Sequence, residues 1–209
     1  MERIGEYLVF GGENRLTLIL AHGAGAPMGS PFMGFMAKTI SEAGFRVVLF
    51  NFDYMKRAVA EKRRLPPDRP EKLLAKWQQV IGEFQDVPLV LGGKSMGGRM
   101  ASMLLSESPD LAKGLVCLGY PFHPPGRPEV LRVAHLEQVS CPALICQGER
   151  DALGNKAEIE KMSFPANFEF FWLPDGDHSL KPRVKSGFTE VENLTKAASK
   201  ITEFLENLI

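Results

Sequence analysis

Four short stretches of the chain are almost wholly apolar: LTLILA (16–21), RVVLF (46–50), PLVLG (88–92) and ALICQG (143–148). A strand with one face on water alternates apolar and polar residues. A run that does not alternate is buried on both faces, as in a parallel sheet covered by helices on each side. Further strand candidates are residues 6–10, 114–118 and 168–173. Helical stretches lie between them, at 32–43, 70–84, 95–106, 128–138, 155–162 and 189–208. This alternation predicts an α/β fold, with a mostly parallel sheet of about seven strands flanked by helices. The first two strands, joined by GGEN (11–14), read as an antiparallel hairpin at one edge. Residues 55–70, MKRAVAEKRRLPPDRP, are basic and end in prolines, and read as a solvated surface loop leading into a helix. With 209 residues the chain is long enough for one domain with its own core, spanning 1–209.

Charge narrows the partners. Lys plus Arg and Asp plus Glu both number 25, so the formal net charge is zero. That balance gives no reason to expect nucleic acid or an anionic membrane as the main partner, and neither is expected. No run approaches the ~18 apolar residues of a membrane span, and the first residues do not read as a secretory signal. The cysteines are Cys117, Cys141 and Cys146. Their odd number, with two of them in strand-like runs, reads as free thiols in a reducing compartment, and places the protein in the cytoplasm.

The chemistry is concentrated in LVLGGKSMGGRMA (89–101). A glycine-rich turn between strand and helix serves either phosphate binding or a nucleophilic serine. The phosphate loop G-x-x-x-x-G-K-[ST] needs a glycine at position 88, which is Pro88, and residues 89–91 belong to the strand. The second pattern, G-x-S-x-G, is met by Gly93-Lys94-Ser95-Met96-Gly97. Its serine sits at a sharp turn with its hydroxyl raised above the sheet at a helix N-terminus. The glycines two positions away are small because strand and helix backbones close on each other there. A serine nucleophile needs a base, and the base needs an orienting acid. Where such a serine turn sits at the edge of a parallel sheet, they follow the serine in the order acid, histidine, each past a strand end. Asp151 follows ALICQG, and His178 follows FEFFWLPDGD; among the four histidines only His178 comes after that acid. Asp175 and Asp177 share the histidine's own loop, where carboxylates more often bond nearby backbone N–H groups. His135 falls in a helix candidate and reads as a packing or surface residue. The oxyanion calls for two N–H donors: Met96, next to the nucleophile, and a residue of His22-Gly23-Ala24-Gly25 after the first buried strand. Ala24 is the candidate there, with Gly23 and Gly25 as its neighbours. Between 118 and 143 there is no room for a lid domain. The pocket is therefore expected to be open and shallow, formed by Gly25, Tyr120, Phe122 and His123. Chemistry of this kind uses no cofactor and no metal, and no His or Cys spacing suggests a metal ligand set.

The motifs HGAGAP, GKSMGGRMA, QGERD and DGDHSL, in that order, resemble the α/β-hydrolase superfamily over nearly the whole chain. YPFHPPGRPEVLR (120–132) and RRLPPDRPEKL (63–73) look like signatures of the small dienelactone-hydrolase-like group. This group is related to the testis-expressed hydrolase-like protein and to the hydrolase-like subunit of a histone acetyltransferase complex. The resemblance implies the fold and a Ser95–Asp151–His178 triad. Dienelactone hydrolases proper use a cysteine nucleophile, where this chain has Ser95. The expected function is that of a serine hydrolase, cleaving an ester, thioester or related acyl bond of a small molecule. The alternative is a hydrolase-fold scaffold with weak or no catalysis.

Overall fold

The computed structural model of the protein describes residues 1–12 and 15–209. Consecutive residues of each apolar run face opposite sides of one sheet and enter two separate cores. Ile19, Val48, Leu91, Cys117 and Ile145 pack on one side with Trp77, Met100 and Leu104. Leu18, Val47, Val90, Val116 and Leu144 pack on the other with Met36, Ala197 and Ile201. Each such side chain, fully buried, contributes about 1.5–3 kcal/mol of transfer free energy.

The strands among the described residues are β1 (Glu2–Ile4), β2 (Tyr7–Phe10), β3 (Thr17–Ala21), β4 (Arg46–Phe50), β5 (Leu89–Lys94), β6 (Gly114–Leu118), β7 (Ala143–Gly148) and β8 (Phe168–Leu173). They form one sheet in the order β1-β2-β4-β3-β5-β6-β7-β8. The pairs from β4 through β8 are parallel; β1–β2 and β2–β4 are antiparallel. The helices are α1 (Pro31–Glu42), α2 (Asp53–Ala60), α3 (Pro70–Glu83), α4 (Met96–Glu107), α5 (Lys156–Ile159) and α6 (Glu190–Glu206). The sheet thus has eight strands rather than about seven, the extra one being β1. No helix among the described residues is long and apolar enough to cross a membrane.

Three expectations are corrected. β2 and β3 are not a hairpin, because β4 lies between them. β3 is buried along its whole length and takes a helix-covered neighbour on each edge, whereas β2, with Leu8 only half-buried, suits a position nearer the rim. The tight hairpin is one step earlier, between β1 and β2, where Gly5 has φ +58°. Glu13 and Asn14 of the expected turn lie outside the described residues. Residues 55–70 are not all loop, since α2 reaches Ala60 and buries Tyr54, Met55 and Ala58 on one face. Residues 128–138 are mostly irregular: only a 3₁₀ helix, Ala134–Gln138, forms there. Pro124, Pro125 and Pro128 precede it, and Leu131 stays 48% exposed, so no amphipathic face develops. No lid domain lies between β6 and β7.

Because β3 and β5 to β8 run parallel, their carboxyl ends share one edge of the sheet. The loops after them all open onto that rim.

Candidate active site

Ser95 stands between β5 and α4 with φ 51° and ψ −115°, a left-handed conformation that costs a non-glycine residue about 1–3 kcal/mol. The surroundings over-determine it. Its N–H donates to the Leu118 carbonyl at 2.9 Å, and its carbonyl accepts from the Arg99 N–H at 3.0 Å. A Cβ on Gly93 would stand 2.4 Å from the Ala21 oxygen, and one on Gly97 2.5 Å from the same atom. Backbone contact between β3, β5 and α4 therefore requires both glycines of the motif.

His178, in the loop after β8, has Nε2 2.8 Å from Ser95 Oγ and Nδ1 2.8 Å from Asp151 Oδ2. Asp151, in the turn after β7, is fully buried. Its Oδ1 accepts from the Leu153 N–H at 2.8 Å, and its Oδ2 also accepts from Gln147 Nε2 at 2.8 Å. In the tautomer with Nδ1 donating to that carboxylate, Nε2 is left to accept from the Ser95 hydroxyl. The other carboxylates of the loop serve the backbone or arginines. Asp177 accepts from the N–H groups of Ser179 and Lys181 at 2.7 and 3.0 Å. Asp175 is held down at about 2, first by its hydrogen bond from Arg183, and also pairs with Arg150.

The loop after β3 is pinned from inside. His22 is fully buried; its Nε2 accepts from the Phe52 N–H at 3.1 Å and its Nδ1 lies 2.6 Å from the Gly23 carbonyl. One nitrogen accepts and the other donates, which fixes the neutral tautomer. Burial pushes the ring down to about 4, outweighing the opposing bond to Gly23. Tyr54 Oη donates to the Ala24 carbonyl at 3.1 Å. The N–H groups of Ala24 and Met96 make no hydrogen bond to any described residue.

Ser95, His178 and Lys94 line a cavity of about 430 Å³, with Gly23, Ala24 and Gly25 on one side and Ser30, Phe32 and Met33 on another. Of the residues expected to form the pocket, only Gly25 is there. Tyr120, Phe122 and His123 are corrected: all three are buried elsewhere. Gly119, at φ +64°, turns the chain inward, and Gln147 clamps the Tyr120 backbone through its amide. Phe122 packs against Phe164 and Phe170, and His123 faces Glu158. Large rings gain more from the core than from a wet rim.

Sequence reasoning missed Gln147, Tyr54, the α1 wall and Lys94. The Lys94 ammonium donates to the His178 carbonyl and lies 5.6 Å from the centre of the Phe32 ring. Burial pushes it down to about 8, against the pull of Asp151 and Asp177. Only its place inside G-x-S-x-G signalled it. His135 bonds Ser102 at 2.8 Å, away from the site. Among the described residues no cluster of three His, Cys, Asp or Glu is placed to hold a metal ion.

Fold and rim together define a hydrolase of the α/β class. The chain belongs to the alpha/beta hydrolase domain family, whose model matches residues 14–206. Solved structures of similar fold include a dienelactone hydrolase from Anabaena variabilis, 21% identical, covering 96% of this chain and 89% of that one at a TM-score of 0.64. An alpha-beta serine hydrolase homologue from Coxiella burnetii is 20% identical, with 95% and 90% covered and a TM-score of 0.68. A monoacylglycerol lipase from Paleococcus ferrophilus is 15% identical, with 97% and 98% covered and a TM-score of 0.70. At these identities the likeness is one of fold.

Proposed function

We propose that the protein is a serine hydrolase that cleaves a carboxylic ester, thioester or related acyl bond of a small molecule through an acyl-serine intermediate. The observation that supports this most is His178, within hydrogen-bond distance of Ser95 through one nitrogen and of buried Asp151 through the other. In this reading Ser95 Oγ attacks the acyl carbon as His178 Nε2 takes its proton. Asp151 holds the ring and stabilises the imidazolium. The Ala24 and Met96 N–H groups face the developing oxyanion, and the N-terminus of α4 favours its charge. His178 then protonates the leaving group. Water, giving its proton to His178, attacks the acyl carbon; the bond to Ser95 Oγ then breaks, His178 returns the proton to that oxygen, and the acid leaves. Lys94, tied to the His178 carbonyl, positions the ring.

Fluorophosphonate labelling tests the reading, because the reagent forms a covalent bond only with an activated serine. The wild type should label and should hydrolyse p-nitrophenyl acetate, and Ser95→Ala should do neither. Labelling that survives in Ser95→Ala would place the nucleophile elsewhere. A wild type that neither labels nor turns over would favour a non-catalytic role for the fold.

A further inference from the structure

We infer that the substrate carries an anionic group on an apolar arm, and that this arm lies in a second cavity beside Ser95. The inference rests on the hydrolase reading and narrows its substrate class. The second cavity measures about 480 Å³ and shares Ala24 and Gly25 with the cavity that holds Ser95 and His178. The divide between the two is thus the backbone of the loop assigned above to the oxyanion. Gly25 adds no side chain to that divide, and even a Cβ built there would meet nothing within 4 Å. A substituent running from an acyl group at Ser95 crosses this low wall into the second cavity.

The two halves of the second cavity differ chemically. Met55, Ala58, Val59 and Leu65 give it an apolar lining, and Val59 is left 53% exposed. Lys62, Arg63 and Arg64 line it in succession, all exposed, and no Asp or Glu does. Arg63 is engaged by Glu61, whereas Lys62 and Arg64 form no ion pair with any described residue. Arg57, on the same helix as Val59, is already neutralised by Asp68. The placement of the free cations is set by the backbone. Lys62 has φ +50°, a conformation disfavoured for any residue with a Cβ. Its N–H donates to the Val59 carbonyl at 3.3 Å, and the Arg63 N–H donates to that of Ala58 at 3.1 Å. This turn ends α2 and sets the three cations beside Ala58 and Val59 of its last turn. An alkyl or aryl arm loses water against Met55 and Leu65, and its terminal carboxylate or phosphate meets the unengaged guanidinium of Arg64 and ammonium of Lys62. For a carboxylate-ended acyl ester the balance is simple. Water adds hydroxyl to the acyl carbon and a proton to the leaving alkoxide, giving an alcohol and a carboxylic acid, which releases its proton to solvent and leaves a dicarboxylate.

The test compares three p-nitrophenyl esters of matched length: a neutral hexanoate, the monoester of hexanedioic acid, and an analogue ending in phosphate. At low salt at least one anionic ester should exceed the hexanoate roughly tenfold in kcat/KM, mainly through KM, and the ratio of the two anionic esters identifies the head group. The double variant Lys62→Glu/Arg64→Glu, or 0.5 M NaCl, should bring the anionic-to-neutral ratio close to one. Arg127→Glu, an exposed arginine outside both cavities, should leave that ratio as it is. Equal rates for neutral and anionic esters, or a preference that survives the charge reversal, would overturn the inference. A binding arm separates it from the catalytic reading. Monomethyl hexanedioate titrated calorimetrically into Ser95→Ala should bind about tenfold more weakly once Lys62 and Arg64 are reversed. If no ester is hydrolysed but this difference holds, the catalytic reading fails and the anion site stands; if binding is indifferent to the reversal, the anion site fails.

Discussion

At the residue scale the assignment of the acid turns on who else bonds each carboxylate. Asp177 is spent on two N–H groups of its own turn, and Asp175 on Arg183 and Arg150. Asp151 is left to face His178 from inside the protein, with Gln147 and the Leu153 N–H completing its acceptor shell. Asp151→Asn should therefore lower kcat by roughly 10³–10⁴, the size of loss seen when a triad aspartate becomes an amide and the histidine tautomer is wrong. Asp175→Asn should stay within a few-fold. Steady-state kinetics on p-nitrophenyl acetate decides it, and a large loss in the Asp175 variant with an active Asp151 variant would reverse the assignment. Asp151 was legible in the sequence because it follows a strand end. Gln147 was not, since its role depends on the Tyr120 backbone passing over it.

Elements, not single side chains, make the sharp turn at Ser95. β3, β5 and α4 meet at backbone contact, so Gly93→Ala brings its new carbon to 2.4 Å from the Ala21 oxygen, where backbone has to move. That variant should lose about 3 kcal/mol or more, or fail to fold, measured by urea unfolding against Gly34→Ala, whose added carbon meets nothing within 4 Å. A second junction ties the sheet edge to two helices. Glu6, in the turn before β2, accepts from Lys56 of α2 and from Lys76 of α3, whose side chain is almost wholly buried. Burial alone would raise the Glu6 carboxyl, but the bonds from Lys56 and Lys76 outweigh it and hold it below its usual value. A lowered carboxylate contributes stability that is present above its unfolded pKa and lost as pH falls through the folded one. Glu6→Gln should accordingly cost about 1–2 kcal/mol near neutral pH, between an exposed pair and a buried one, and the cost should fade in acid. An equal cost at pH 3 and pH 7 would mean that packing, not charge, is at work there. Neither lysine's partner could be read from sequence, because Glu6 is 50 residues from Lys56 and 70 from Lys76.

At the scale of the whole molecule, two histidines that do no chemistry in the proposed reaction add to the acid sensitivity that the carboxylates give. Burial pushes both His22 and His135 from 6.5 down to about 4. Between those values the unfolded chain binds protons that the folded one refuses, so stability is complete above about pH 6.5 and falls as pH drops toward 4. The full loss is about 3 kcal/mol for His22 and less for His135, which solvent reaches. Urea unfolding at pH 7 and pH 4.5 should show this drop, and His22→Gln should flatten it; an unchanged slope in that variant would assign the acid sensitivity elsewhere. Sequence by itself determined the layered α/β architecture, because short unbroken apolar runs that alternate with helical stretches fit strands buried on both faces between helical layers. It also determined the positions of Ser95, Asp151 and His178, because strand ends and glycine spacing are local properties. Only the tertiary structure decided that β4 separates β2 from β3, that Tyr120, Phe122 and His123 turn inward, and that residues 30–33 and 62–65 take their place around the cavities. Those outcomes depend on which distant surfaces bury the most apolar area together, and no local pattern in the chain encodes that competition.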